Sequence, residues 1–188
     1  MNVSQLDIPW HKYGLITYLA KRLERISPQF GRTVLQKMIY ILEEVFDIPC
    51  EYQYSLYIYG PYSTELANDL DYIEFLDGVN VRWVPAIGGY NITPGDKCEH
   101  VCEKAEVFLD RYKSGINMAI NEFGDKNAGE LELIATIVYV DHYAKTKEQP
   151  VSFEKLVDEV EEIKPKFTKE YIEKTVRALS DKRYIQQS

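Results

Sequence analysis

The chain has 188 residues and a mass of 21.9 kDa, with 22 lysines and arginines against 30 acidic residues and a net charge of −8. That length and a 45% hydrophobic content allow a core without disulfide or metal staples, and they exclude a disordered or fibrous chain. The longest nearly unbroken apolar run, Leu133 to Val140, falls far short of the ~20 residues of a membrane helix.

The N-terminus has neither a basic n-region nor an apolar h-region, so no secretory leader is expected. Three cysteines, an odd number, suit a reducing cytoplasm better than a disulfide framework. Tyrosine is over-used, at 15 against 7 Phe and 2 Trp.

Leu15, Leu19, Leu23 and Ile26 recur at helical spacing and predict a first helix over 10–26, stopped by Ser27-Pro28. A second helix is expected from an N-cap at Thr33 to Phe46, with Val34, Leu35, Met38, Ile39, Leu42, Val45 and Phe46 as its apolar stripe. Residues 51–59 are aromatic and β-branched and predict a strand, which Gly60-Pro61 should break. Ser63 is a fitting N-cap for a third helix whose inward stripe is Leu66, Leu70, Ile73 and Leu76. Alternation at Val79, Val81 and Trp83, then at Tyr90 and Ile92 after Gly88-Gly89, predicts a β-hairpin with Pro85 at a bend.

Thr93-Pro94-Gly95-Asp96 leads into one long helix over 97–123. Further helices are expected over 130–145, over 153–163 and after an N-cap at Thr168, with Tyr184-Ile185 starting a short extended segment. The expected fold is therefore mainly α with a small antiparallel β-sheet (α+β). A winged-helix-like domain covers 8–95, a connecting helix and loop cover 96–128, and a three-helix, helix-turn-helix-like unit covers 130–185.

Three stretches carry a family resemblance. Leu35-Gln36-Lys37-Met38-Ile39-Tyr40, then Tyr57-Ile58-Tyr59-Gly60-Pro61-Tyr62-Ser63 with Leu66 and Asp69-Leu70, then Gly89-Tyr90-Asn91-Ile92-Thr93 with Gly95, resemble the YwgA-like group. The run Lys164-Pro165-Lys166-Phe167-Thr168-Lys169-Glu170, ending in Leu179-Ser180-Asp181-Lys182-Arg183-Tyr184-Ile185, also looks YwgA-like. That group is in turn similar to the Panacea-domain antitoxins of the SocA type. The resemblance implies a winged-helix-related fold, no known catalytic residues, and a protein partner such as a toxin.

Charge sorts the candidate sites. The segment 63–77 holds Glu65, Asp69, Asp71, Glu74 and Asp77 and no Lys or Arg, so duplex DNA would repel a reading helix placed there. Residues 164–188 hold seven basic and three acidic residues, and Lys169, Lys174, Arg177, Lys182 and Arg183 are the candidates for phosphate contacts by a dimeric DNA-binding regulator. Their other reading is a solvated helix with i, i+4 pairing, next to an acidic segment at 148–162. Tyr57, Tyr59 and Tyr62, with Arg82 and Trp83, are candidates for a partner-binding surface, because tyrosine buries apolar area yet tolerates water; their other reading is a seam between sheet and helix.

Cys98, His100 and Cys102 do not make a metal site, since His100 is turned ~200° from the cysteines on a helix. Asp141-His142 hints at acid-base chemistry, with no nucleophile placed beside it and no cofactor motif anywhere. The expectation is a non-catalytic, cytoplasmic protein-protein interaction protein, antitoxin-like or an adaptor. Its negative charge would suit a basic partner, and homodimerisation stays open.

Overall fold

The computed structural model describes residues 8–147 and 151–185. The protein is mainly helical with two small antiparallel sheets. α1 (Trp10–Leu23) and α2 (Arg32–Phe46) come first, then a tight hairpin of β1 (Ser55–Tyr57) and β2 (Gly60–Tyr62). α3 (Thr64–Phe75) follows, and a second hairpin pairs β3 (Val79–Val84) with β4 (Gly89–Pro94). The remaining helices are α4 (Cys98–Lys104), α5 (Glu106–Phe123), α6 (Ala128–Thr146), α7 (Phe153–Ile163) and α8 (Lys169–Asp181).

Several predicted boundaries hold for the predicted reasons. Ser63 caps α3 by accepting from Leu66 N, Thr168 caps α8 by accepting from Tyr171 N, and Leu66, Leu70 and Ile73 are buried. α6 starts earlier than the apolar pattern shows, because Asn127 and Glu130 form a reciprocal capping box. α2 starts at Arg32 with Gly31 as N-cap, so Thr33 lies inside the first turn.

α1 ends at Leu23 rather than at residue 26, and three larger expectations fail. The extended segment 51–59 keeps only three ladder residues, since Gly60, at φ +86°, turns the chain back on itself at once. Gly60-Pro61-Tyr62 thus becomes a return strand, with Tyr57 opposite Gly60 and Leu56 opposite Pro61. The helix over 97–123 breaks at Ala105, where α1 passes so close that a Cβ on Gly14 would stand 2.1 Å from the Ala105 Cβ. Tyr184-Ile185 forms bends rather than a strand, anchored by the buried Ile185.

One continuous core runs from Tyr13 to Ile185, so the segments 8–95 and 130–185 share it. α2 is central to it, packed against α5, α6, β2 and α3. Leu133, Ala135, Ile137 and Val138 of the long apolar run are buried in α6. No helix among the described residues is long and apolar enough to cross a membrane.

Candidate functional site

The tyrosine-bearing hairpin β1–β2 stands over the N-terminal half of α2, and α3 closes the other wall. Between them lies an apolar groove of about 470 Å³. Tyr57, Tyr59 and Tyr62 all line it, opposite Leu66, Ala67 and Leu70 of α3. The Tyr57 and Tyr62 rings meet at 5.3 Å between centroids, while Tyr57, Ile58 and Tyr59 remain 57%, 83% and 63% exposed. Three large apolar side chains on one turn, facing water beside an open groove, are the pattern of a contact surface rather than of a filled seam.

Tyr52 and Tyr54 behave differently. Tyr52 is buried and donates from its hydroxyl to Asp69 at 2.8 Å, and Tyr54 packs edge-on against Tyr40.

The turn is built from below. Gln36 of α2 clamps Ser63 in both directions, donating to its carbonyl at 2.9 Å and accepting from its N–H at 2.9 Å. The buried Lys37 ammonium donates to the Pro61 carbonyl at 2.6 Å, and buried Lys164, before α8, donates to the Ile58 carbonyl. Buried Glu132 of α6 pairs with Lys164 at 2.9 Å and with Lys166 at 2.8 Å. A Cβ on Gly60 would stand 3.0 Å from Thr136 Oγ1, so the turn also presses directly on α6. Burial pushes the Lys37 amine down from its usual range to about 8, against the pull of the Glu132 charge.

The second hairpin joins the groove indirectly. Arg32 lines the groove mouth, pairs with Asp71 at 2.8 Å and lies over the Tyr90 ring at 5.0 Å. Tyr90 in turn meets Trp83 edge-on at 5.3 Å, and Trp83 is 55% exposed. Trp83 therefore extends the groove's surface without lining it. Arg82, the next residue on β3, is exposed and projects to the opposite face of the hairpin.

The acidic α3 is less free than its composition suggests. Glu65 pairs with Lys12 at 2.6 Å, Asp71 with Arg32, and Asp77 with Lys97 at 3.1 Å. Asp69 accepts from Tyr52, and Glu74 accepts from Val81 N. Each of these carboxylates ties α3 to another part of the fold.

The C-terminal basic residues are likewise committed at home. Lys169 pairs with Asp158 at 2.6 Å, Lys182 pairs with Glu122, and Arg177 lies 4.3 Å from the Phe153 ring centroid. Lys174 and Arg183 have no ion pair among the described residues.

Further along α2, toward its C-terminal end, a second, polar cleft gathers Glu43, Glu44, Glu51 and His142 among five tyrosines. His142 Nδ1 lies 2.7 Å from Glu44 Oε2, and Glu51 N donates to Glu43. Burial raises the Glu43 carboxyl to about 7. The hydroxyl of Thr146 is donated to the Tyr143 carbonyl, and the nearby Cys50 thiol is buried and pushed far up, so neither offers an activated nucleophile. Asp141 is buried with Lys145 3.5 Å away. Among the described residues no cluster of three metal-ligating side chains exists, and all three cysteines are free.

Arg32, Lys37, Glu132 and Lys164 are the site residues that composition and charge counts miss. One signal was present: Lys37 sits within the apolar stripe of α2, three residues after Val34 and four before Ile41, on a face that buries its neighbours. No family model matches the chain, and no curated protein matches it.

Proposed function

We propose that this is a non-catalytic binding protein, antitoxin-like or an adaptor, that docks a protein partner on the Tyr57–Tyr62 turn and its groove. The observation that carries the reading is the exposed apolar turn. Tyr57, Ile58 and Tyr59 stand in water beside a preformed apolar groove, although buried lysines and a carboxylate hold the backbone beneath them. Side chains spent on packing would not be left in solvent on so firmly anchored a turn. The winged-helix-related reading of α1 to β4, and the YwgA-like and Panacea resemblance, belong to the same proposal. A net charge of −8 would speed the approach of a basic partner.

The test places a photo-crosslinking amino acid at position 59 and, as a control, at Val107, which is 85% exposed on α5. One partner should be captured at 59 and not at 107, and Tyr57→Ala should weaken that capture severalfold. Equal capture from both positions, or capture undiminished by Tyr57→Ala, would remove the groove from the interface.

A DNA-binding regulator remains the runner-up. With Lys169, Lys182 and Arg177 engaged within the protein, Lys174 and Arg183 would supply a small phosphate footprint. An acid-base role for the polar cleft is favoured by the His142–Glu44 contact alone, which fixes an imidazole beside a carboxylate but supplies no nucleophile.

A further inference from the structure

The groove has a charge opposite to that of the protein. Among the described residues no Asp or Glu lines it, whereas Arg32 and Lys37 do. Lys37 is 2% exposed, and its ammonium meets a carbonyl but no carboxylate among the described residues. Glu132 is near enough to influence it, yet both Glu132 oxygens are taken by Lys164 and Lys166. Three ammonium groups thus share one carboxylate beneath the tyrosine turn, and Lys37 is the one that lines the groove. Buried lysines are almost always paired, because an isolated buried charge is costly. Lys12, the other well-buried lysine of α1 and α2, obeys that rule through Glu65.

The groove mouth adds to the bias more weakly, because Arg32 is already paired there with Asp71 at 2.8 Å. α2 begins there with no capping side chain and no acidic residue in its first turn, and Arg32 and Thr33 are its first two residues. Local excess of positive charge around an apolar hollow is complementary to an apolar body that ends in an anion.

We infer that the groove receives the C-terminus of a partner protein, its last apolar side chain lying between the tyrosine turn and Leu66–Leu70, its terminal carboxylate set against Lys37. A carboxylate there would supply the counter-charge that the fold itself does not. A peptide terminus is favoured over a free fatty or aromatic acid by what lies past the groove mouth. The Arg32–Tyr90–Trp83 stack continues the exposed aromatic surface, giving a chain that leaves the groove a path to follow. A small acid would end inside the groove and leave that path unused. A partner with a basic body and an apolar C-terminal tail satisfies both the overall and the local charge. The inference rests on the protein-docking reading of the groove.

The test immobilises the full chain and offers two pools of hexapeptides randomised at their last three positions. One pool carries a free C-terminal carboxylate and the other a C-terminal amide, and bound peptides are identified by mass spectrometry. The free-acid pool should be enriched in apolar last residues by about tenfold or more over the amide pool, the scale of one charge-assisted hydrogen bond. Lys37→Met should erase that preference. If Lys37→Met does not fold, Ala67→Phe, which fills the groove from α3, should erase it instead.

Equal enrichment from both pools, lost in Tyr59→Ala, would overturn the terminal carboxylate while leaving the docking reading intact. No enrichment from either pool would overturn the terminal peptide as occupant, as would saturable octanoate binding without peptide binding. Crosslinking from position 59, which needs no free terminus, judges the docking reading separately.

Discussion

Toward the N-terminal end of α2, Arg32 and Lys37 face an apolar groove with no carboxylate in its described lining; toward its C-terminal end, Glu43 and Glu44 face a cleft of glutamates, tyrosines and His142. Burial drives one group of each hollow toward neutrality, lowering the Lys37 amine to about 8 and raising the Glu43 carboxyl to about 7. Glu43 accepts from the Glu51 amide on one oxygen and leaves its buried Oε2, like the Tyr54 hydroxyl, without a hydrogen-bond partner among the described residues. The cleft nonetheless holds an anion for its cationic group, with Glu44 on His142. The groove does not, since Lys37 finds only the Pro61 carbonyl. A hollow lined by carboxylates has no place for a further anion. One that buries a cation without an anion is suited to receive one.

The largest test of this contrast is Glu132. Glu132→Ala removes the carboxylate that holds Lys164 and Lys166, leaving the buried Lys164 ammonium without an anion, and should cost ~3–5 kcal/mol in urea unfolding. Lys37→Met, by contrast, should be close to neutral or stabilising in the unliganded protein, because it removes a charge with no carboxylate partner. If both substitutions cost alike, Lys37 belongs to the same closed network as Glu132 and the contrast fails.

Stability against pH separates the two hollows further. Glu43 has a folded pKa raised from 4.5, so the folded state holds more protons between pH 4.5 and 7 and its contribution is lost as pH rises through that window. Lys37 has a folded pKa lowered from 10.5, so the unfolded state holds more protons between pH 8 and 10.5 and stability gains as pH rises there. Glu43→Gln should flatten the first limb and Lys37→Met the second, each by on the order of 1–3 kcal/mol in denaturation series. A Lys37→Met protein that kept the upper limb would show the cause to lie in another group.

Gly60→Ala should cost ~1–2 kcal/mol, through its positive φ and a Cβ only 3.0 Å from Thr136 Oγ1, and should weaken partner capture as well. The smallest effect on stability belongs to Tyr59→Ala, within ~0.5 kcal/mol by thermal unfolding because that ring is 63% exposed. A larger loss would mean the tyrosine turn is packing rather than a contact surface.

Much of the fold is legible in the chain. Ser63 and Thr168 announce their helices because capping is a local hydrogen bond, and the β3–β4 hairpin follows from alternation with a glycine pair. The hairpin at residues 55–62 is not legible, because a short strand, a turn and a return strand share eight residues and resemble one longer strand. The break at Ala105 escapes the pattern too, since no breaker residue marks it and it lies where α1 crosses close by.

Residue type and local order placed the tyrosines on one turn and put acid on α3 and base near the C-terminus. Only the tertiary structure decided what those charges do. α3's acids are tied to Lys12, Arg32, Lys97, Tyr52 and the Val81 amide, and four of the seven cations over 164–188 meet acids within the protein. It also placed Lys37 beneath the tyrosine groove without an ion pair among the described residues. Composition counts charges, whereas pairing and desolvation depend on distances across elements far apart in sequence.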